Sequence, residues 1–119
     1  MMISMEISNV GVDIVNIERF RKKEYNENKK FYEKIFSKSE IQYCLSFKNY
    51  SEHFAGKFAI KEAVKKSIKE NIGFKEILTD HKKSKPQVIL KKKLSYRFLF
   101  SVSHEKDYAI AMVIALNDN

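Results

Sequence analysis

The chain opens on an alternation of apolar and small or polar positions. Val10, Val12 and Ile14 stand two residues apart against Gly11, Asp13 and Val15, the period of a β-strand. Asn16 then occupies the place of a helix N-cap, which predicts a short basic helix through Arg19, Arg21, Lys22 and Lys23. Residues 24–30 are polar and read as a mobile connection, followed by an apolar cluster of Phe31, Tyr32, Ile35 and Phe36. Ser37-Lys38-Ser39-Glu40 has the form of a capping box, and the helix after it places Ile41, Cys44 and Leu45 on one face.

The longest helix is predicted over residues 51–70. Ala55, Ala59 and Ala63 recur every fourth residue, a small-residue stripe that lets another element approach closely. Phe54 and Phe58 form a bulky stripe beside it, Val64 and Ile68 continue the apolar side, and Gly73 stands where it can end the helix. Residues 77–81 and 87–90 read as strands joined by a turn over 82–86, and residues 91–97 as a basic connection with room for a short helix. A hairpin is predicted from residues 98–103 and 108–116, turning through His104-Glu105-Lys106-Asp107. Strands and helices are grouped rather than alternating. The expected class is therefore α+β, a mostly antiparallel sheet packed with one long and several short helices, as a single domain over residues 1–119.

Composition narrows the functions available. Hydrophobic residues make up 44% of the chain, enough for a core, which excludes wholesale disorder. Twenty-three basic residues against 15 acidic give a net charge of +8, and among the basic residues only Arg19, Arg21 and Arg97 are arginine. Lysine is a flexible point charge and arginine the usual reader of bases, so sequence-specific DNA binding is disfavoured. Partners acidic in bulk fit better: nucleotide phosphates or an acidic protein. A non-enzymatic basic module that binds nucleic acid is the alternative, weakened by the lack of a recognisable motif or aromatic stacking platform. The single Cys44 cannot form an internal disulfide, and its apolar setting points to packing. The first residues, Met1-Met2-Ile3-Ser4-Met5-Glu6, lack the features of a signal peptide, and the apolar run over residues 108–116 is short for a membrane span. A cytoplasmic protein without membrane contact is expected.

Two acids break their local pattern. Glu62 shares a helical face with Phe54 and Phe58, so its carboxylate must be paired, protonated or bound to a cation unless it lies at a rim and pairs with Lys66. Asp13 lies inside an otherwise apolar strand, where it could cap the next helix or join Glu62 in an oxygen-rich site for a hard ion. Magnesium characteristically takes one or two carboxylates and leaves its other positions to water and phosphates. Lys57, Lys61 and Lys65 share one helix face, for which solvated surface is the ordinary reading. Ser103 and His104 adjoin at a strand end without the third member of a hydrolase triad, and His53 and His81 are expected on the surface.

Taken in order, the motifs Gly11-Val12-Asp13-Ile14-Val15 with Glu18-Arg19, Phe36-Ser37-x-Ser39-Glu40, Phe54-Ala55-Gly56-Lys57-Phe58-Ala59-Ile60-Lys61-Glu62-Ala63-Val64-x-Lys66 and Ser101-Val102-Ser103-His104-Glu105-x-x-Tyr108-Ala109 resemble a known family. It is that of the holo-[acyl-carrier-protein] synthases, the short, bacterial-type branch of the 4′-phosphopantetheinyl transferases. The resemblance runs from about Ile7 to Leu116. It implies the fold of that family and transfer of 4′-phosphopantetheine from coenzyme A to a serine of apo acyl carrier protein for fatty acid biosynthesis, releasing adenosine 3′,5′-bisphosphate. By the same resemblance Asp13 and Glu62 hold Mg²⁺, and the chemistry then makes Lys66 the candidate assisting cation and Glu62, directly or through a metal-bound water, the candidate acceptor of the serine proton. Lys57, Lys61, Lys66, Lys85, Pro86, Ser103 and His104 border coenzyme A, and Arg19, Phe20 and Arg21 meet the acidic carrier. A homotrimer with active sites between subunits is also implied, and it would bury the alanine stripe and the apolar last strand. Two departures stand out: Ser84 replaces the glycine of the usual Gly-Lys-Pro turn, and Lys57 stands where many relatives carry arginine.

Overall fold

The alanine stripe of the long helix and the small residues of the first strand meet face to face, and the fold is arranged around that contact. The structure, a computed structural model, describes residues 6–82 and 85–117. Strand β1 (Ile7–Asn16) pairs antiparallel with β5 (Tyr108–Asn117), and β5 with β4 (Tyr96–His104), in the order β1-β5-β4. Gly11 lies opposite Val113, Asp13 opposite Ala111 and Val15 opposite Ala109, so the inner face of these two strands is built from small side chains. Helix α4 (Tyr50–Ser67) lies on that face with Ala55, Ala59 and Ala63 fully buried. The alanine stripe is therefore covered within one subunit and needs no partner chain, a correction to the expectation that a trimer buries it.

At Gly11 the approach leaves no room for a side chain. A Cβ built there would fall 1.9 Å from the carbonyl oxygen of Ala63 and 3.1 Å from the amide nitrogen of Ser67. Both are backbone atoms of α4, which cannot turn aside as a side chain could.

The N-terminal half of α4 is held by aromatics. Phe20, on α1 (Glu18–Arg21), has ring neighbours Phe31, Tyr32, Phe36, Phe54 and Phe58, with centroids 5.7–6.3 Å away. It is 1% exposed, so it is a core residue and not a surface anchor for a carrier protein. Tyr32 donates its buried hydroxyl to the carbonyls of Phe20 and Lys23, at 3.2 and 2.6 Å, and fastens α2 (Lys29–Ile35) to α1. This requirement overrides the polar composition of residues 24–30, which form a short 3-10 turn at Tyr25–Glu27 and the start of α2 rather than a mobile connection. Ile17, not Asn16, occupies the N-cap position of α1, although Asn16 Oδ1 still accepts the Glu18 amide proton at 3.0 Å.

The capping box of α3 (Lys38–Leu45) forms as its sequence predicts: Ser37 Oγ accepts from Glu40 N and Glu40 Oε1 from Ser37 N. Ile41 and Cys44 are buried, while Leu45 lies at the exposed rim. Burial pushes the Cys44 thiol up to about 12, in keeping with a packing role. Helix α4 stops at Ser67, earlier than predicted, where Ile68 turns extended; Gly73 instead precedes a 3-10 turn at Phe74–Glu76. Strands β2 (Ile77–Lys82) and β3 (Lys85–Leu90) form a separate two-stranded sheet, and residues 91–95 form no helix. Residues 83 and 84 of the predicted turn, Ser84 among them, and the first five residues lie outside the described residues. The class is α+β with antiparallel sheets. Among the described residues no helix is long and apolar enough to cross a membrane.

Gly11→Ala should destabilise the protein by about 3 kcal/mol, since the backbone of β1 or α4 must move to admit one methyl group. Urea denaturation checks this, and a loss below about 1 kcal/mol would show that the two elements part easily.

Candidate active site

Helix α4 carries the expected site residues on two flanks. On the first, Phe58, Glu62 and Lys66 form one row at four-residue spacing. The Lys66 ammonium lies 3.0 Å from Asp13 Oδ1 and 3.0 Å from the carbonyl oxygen of Val12, so β1 and this row of α4 meet. Arg19 of α1 sets its guanidinium 5.0 Å above the Phe58 ring, at the other end of the row. Glu62 is partly exposed between them. Of the readings open for the two acids, Asp13 does not cap the following helix, whose first amide instead donates to Asn16 Oδ1, and Lys66 pairs with Asp13.

This flank suits a hard cation. Two oxygen donors, the Asp13 carboxylate and the Val12 carbonyl, already converge on one positive group, and Glu62 adds a second carboxylate on the row that carries it. Among the described residues no group of three or more His, Cys, Asp or Glu gathers to hold a metal. A pair of carboxylates is what magnesium asks of a protein, with zinc needing more and softer ligands.

The lysine row behaves unlike a solvated face. Lys61 is 0% exposed, and its ammonium donates to Glu40 Oε1 at 2.8 Å, Ile35 O at 2.9 Å and Phe74 O at 3.0 Å. All three protons are spent on the protein, which corrects the expectation that Lys61 borders the phosphates of a ligand. Glu40 is equally saturated, accepting also from the amide and hydroxyl of Thr79 at 2.8 and 2.6 Å. Burial alone would raise its carboxyl, but the Lys61 charge and these hydrogen bonds hold it below the ordinary range. Lys57, 6% exposed, donates to the carbonyl oxygen of Thr79 and, at 3.1 Å, to its hydroxyl. Burial lowers its ammonium, against the pull of nearby acids. Lys65 covers the Phe74 ring at 4.0 Å.

On the second flank lies a cleft of about 250 Å³. His53 and Lys57 of α4, His81 of β2, Pro86 of β3 and His104 of β4 all face it. His81 is exposed, as expected, with its ring stacked on Tyr43 at 4.2 Å, while His53 is half-buried with its ring on Phe47 at 3.8 Å. The local signal was faint: Phe47 stands six residues before His53, whereas Tyr43 reaches His81 from a distant element. Lys85 is exposed beside Pro86. Ser103 does not join His104: the strand period turns it to the outer face, where it pairs with Ile110.

The two flanks do not merge. Five residues separate Lys57 from Glu62, which sets their side chains about 140° apart around the helix. On the sheet, Asp13 and the cleft residue Val102 lie opposite the two sides of Ala111, with all of β5 between them. The structure thus joins Asp13 to Lys66, on the helix row that also carries Glu62, and sets Lys57, Pro86 and His104 around a separate cleft.

Known proteins share both the sequence and this fold. A family model described as the 4′-phosphopantetheinyl transferase superfamily matches residues 9–113. A holo-[acyl-carrier-protein] synthase of Chlamydia felis is 40% identical over 94% of this chain and 99% of its own length, and one of Pelagibacter ubique is 35% identical over 92% and 97%. Among solved structures, the synthase of Helicobacter pylori in complex with coenzyme A superposes with a TM-score of 0.76 at 32% identity, covering 89% of this chain and 98% of that one. The synthase of Bacillus anthracis in complex with CoA (3′,5′-ADP) gives 0.79 at 29% identity, covering 96% and 99%.

Glu40→Ala should cost about 3–5 kcal/mol at pH 7, because it strands the Lys61 ammonium in the core. The folded carboxyl titrates below its ordinary value of 4.5, so its stabilisation is full above that pH and is lost as pH falls through the folded value. Denaturation curves across pH 3–7 should show this acid loss in the native chain and a reduced loss in the variant.

Proposed function

The chain belongs to the 4′-phosphopantetheinyl transferase superfamily, and on that premise we propose that it is a holo-[acyl-carrier-protein] synthase: it moves 4′-phosphopantetheine from coenzyme A to a serine of apo acyl carrier protein and releases adenosine 3′,5′-bisphosphate. The observation that carries the reading is the junction of Asp13, Glu62 and Lys66, where β1 delivers a carboxylate to the α4 row that holds another.

In this reading Asp13 and Glu62 would hold Mg²⁺, which would supply neutralisation of phosphate charge. Lys66 is 53% exposed on a long flexible stem, so its ammonium can leave Asp13 for a pyrophosphate oxygen as negative charge builds on the leaving phosphate. Glu62 takes the proton from the attacking serine hydroxyl as the new phosphoester bond forms and the pyrophosphate bond breaks. Lys57 contributes fixed positive charge to the coenzyme A cleft, with Lys85, Pro86 and His104 along its border.

The separation of the two flanks supports a site completed by a second copy. The outer face of the three-stranded sheet is apolar: Val12 and Ile14 of β1, Ile110 and Met112 of β5 and Leu99 of β4 are all exposed and lie on one side. A homotrimer packed through this face would cover it and set the acids of one subunit beside the cleft of the next. Ser103, turned toward the same face, belongs to that junction.

Carrier docking falls to the basic surface around α1. Arg19 with Lys22 and Lys23 borders a hollow floored by the partly buried Phe31, which takes the apolar role that Phe20 cannot fill. Arg21 also serves the fold, donating to the carbonyl of Lys106 at 2.6 Å. An acidic carrier would be steered to this surface by charge. The buried unpaired thiol of Cys44 suits a reducing cytoplasm, where the product would serve fatty acid synthesis.

Purified protein with Mg²⁺, coenzyme A and apo carrier should raise the carrier mass by one phosphopantetheine. Asp13→Ala and Glu62→Ala should each lower turnover at least about 100-fold with the fold retained. No gain with any acidic carrier, while an authentic synthase works beside it, would overturn the function.

Light scattering should report three copies, and Met112→Asp on the outer face should give monomers with little activity. A native monomer with full turnover would exclude the shared site.

A further inference from the structure

The two histidines that the chain pattern assigns to the surface stand in the cleft in the same manner. His53 lies on Phe47 with planes 16° apart, and His81 lies on Tyr43 with planes 17° apart. His104 closes the set, its ring 6.3 Å from that of His53 and its Nδ1 3.7 Å from Glu52 Oε2. These are all the histidines of the chain, brought from α4, β2 and β4 to one cleft beside the buried Lys57 ammonium. We infer that His53 and His81 are donor-binding residues that each accept a proton as the phosphates of the nucleotide enter the cleft. The inference rests on reading this cleft as the coenzyme A site.

The surroundings set the sign. In the free protein burial is the main cause holding both imidazoles below their ordinary 6.5. His104 and Lys57 add repulsion at His53 against the attraction of Glu52, and Lys57 and His53 add it at His81 against Asp80. Tyr43, from α3, and Gln87 and Pro86, from β3, bring no charge to the cleft, and Lys85 stands exposed at its edge. Both histidines are therefore neutral at pH 7 before the ligand arrives. A phosphate within about 4–6 Å favours the imidazolium by about 1–3 pH units. The aromatic face beneath each ring stabilises the same cation. Binding thus consumes protons in the window between the depressed free value and the raised bound value, and affinity falls as pH rises through it.

The ligand's own chemistry works in the opposite direction. A phosphomonoester loses its second proton near pH ~6, and a cationic cleft that selects the dianion releases protons. Proton uptake on binding therefore cannot come from the nucleotide.

Titration calorimetry of adenosine 3′,5′-bisphosphate into the native protein at pH 7, in buffers of different ionisation heat, reads the proton count directly. A net uptake of about 0.5–1.5 protons per site is expected. His53→Asn with His81→Asn should abolish the uptake and weaken binding about 10-fold at pH 6.5, with little change at pH 8.5. Zero uptake or release by the native protein would overturn the inference without any variant having to fold. Uptake unchanged in the double variant would do the same. Binding without uptake leaves the cleft as the donor site, whereas no binding of the bisphosphate or of coenzyme A removes that reading and the inference together.

Discussion

The contact between Gly11 and the Ala63 carbonyl sets the distances on which the rest of the molecule depends. With no side chain at Gly11, β1 lies directly on the backbone of α4. The next inward residue along β1 is Asp13, since strand side chains alternate. Close approach at Gly11 therefore delivers the Asp13 carboxylate to the helix row of Glu62 and Lys66. A bulkier residue would move the strand away, and the Asp13 carboxylate with it. The alanines serve the same end: with Ala59 and Ala63 on α4 and Ala109 and Ala111 on β5 all buried, the interface stays thin.

A second anchor fixes α4 from its other side. Lys61 sits between α3, the end of α2 and the turn before β2, and hydrogen-bonds to all three. Through Glu40 and Thr79 the same network reaches Lys57. A fully buried ammonium is costly to desolvate, and it is tolerable here only because each proton has an acceptor. The result is directional: β2, and with it His81, is held at one position against α4, so the cleft is walled before any ligand arrives. Lys61 and Glu62 are neighbours in sequence with opposite tasks, one closing the core and one facing the solvent side.

What could be read from the chain was what depends on near neighbours. The first strand, the capping box at Ser37 and Glu40, the final hairpin and the suspicion attached to Asp13 and Glu62 all follow from spacing over a few residues. The misreadings have a common cause. Lys57 and Lys61 look like a solvated row because their acceptors, Thr79 and Glu40, are about twenty residues away. Phe20 looks exposed between two arginines because its five ring neighbours belong to α2 and α4 and the segment leading to α3. His53 and His81 look isolated because only the fold brings Phe47 and Tyr43 under them. Family likeness proposed roles for Asp13, Glu62 and Lys66, which spacing alone left open.

The positive charge of the chain is divided according to how deeply it is placed. Buried ammonium groups, Lys57 and Lys61, have fixed partners and set geometry; Lys66 is shared between Asp13 and solvent; Arg19, Lys22 and Lys23 are open to the solvent. A charge in the first group cannot follow a ligand, because moving it would break hydrogen bonds in a region that excludes water. A charge in the last group can steer an acidic partner but is screened within about 8–10 Å by salt. Of these, Lys66 combines a defined resting place with freedom to move, which is what a cation must have if it is to meet charge that appears only during a reaction. Its resting partner is the carboxylate of Asp13, so the lysine and any metal compete for one oxygen. A surface ion pair of this kind is worth at most about 1 kcal/mol, weak enough to yield to a divalent ion were one to bind and strong enough to keep the carboxylate turned toward α4.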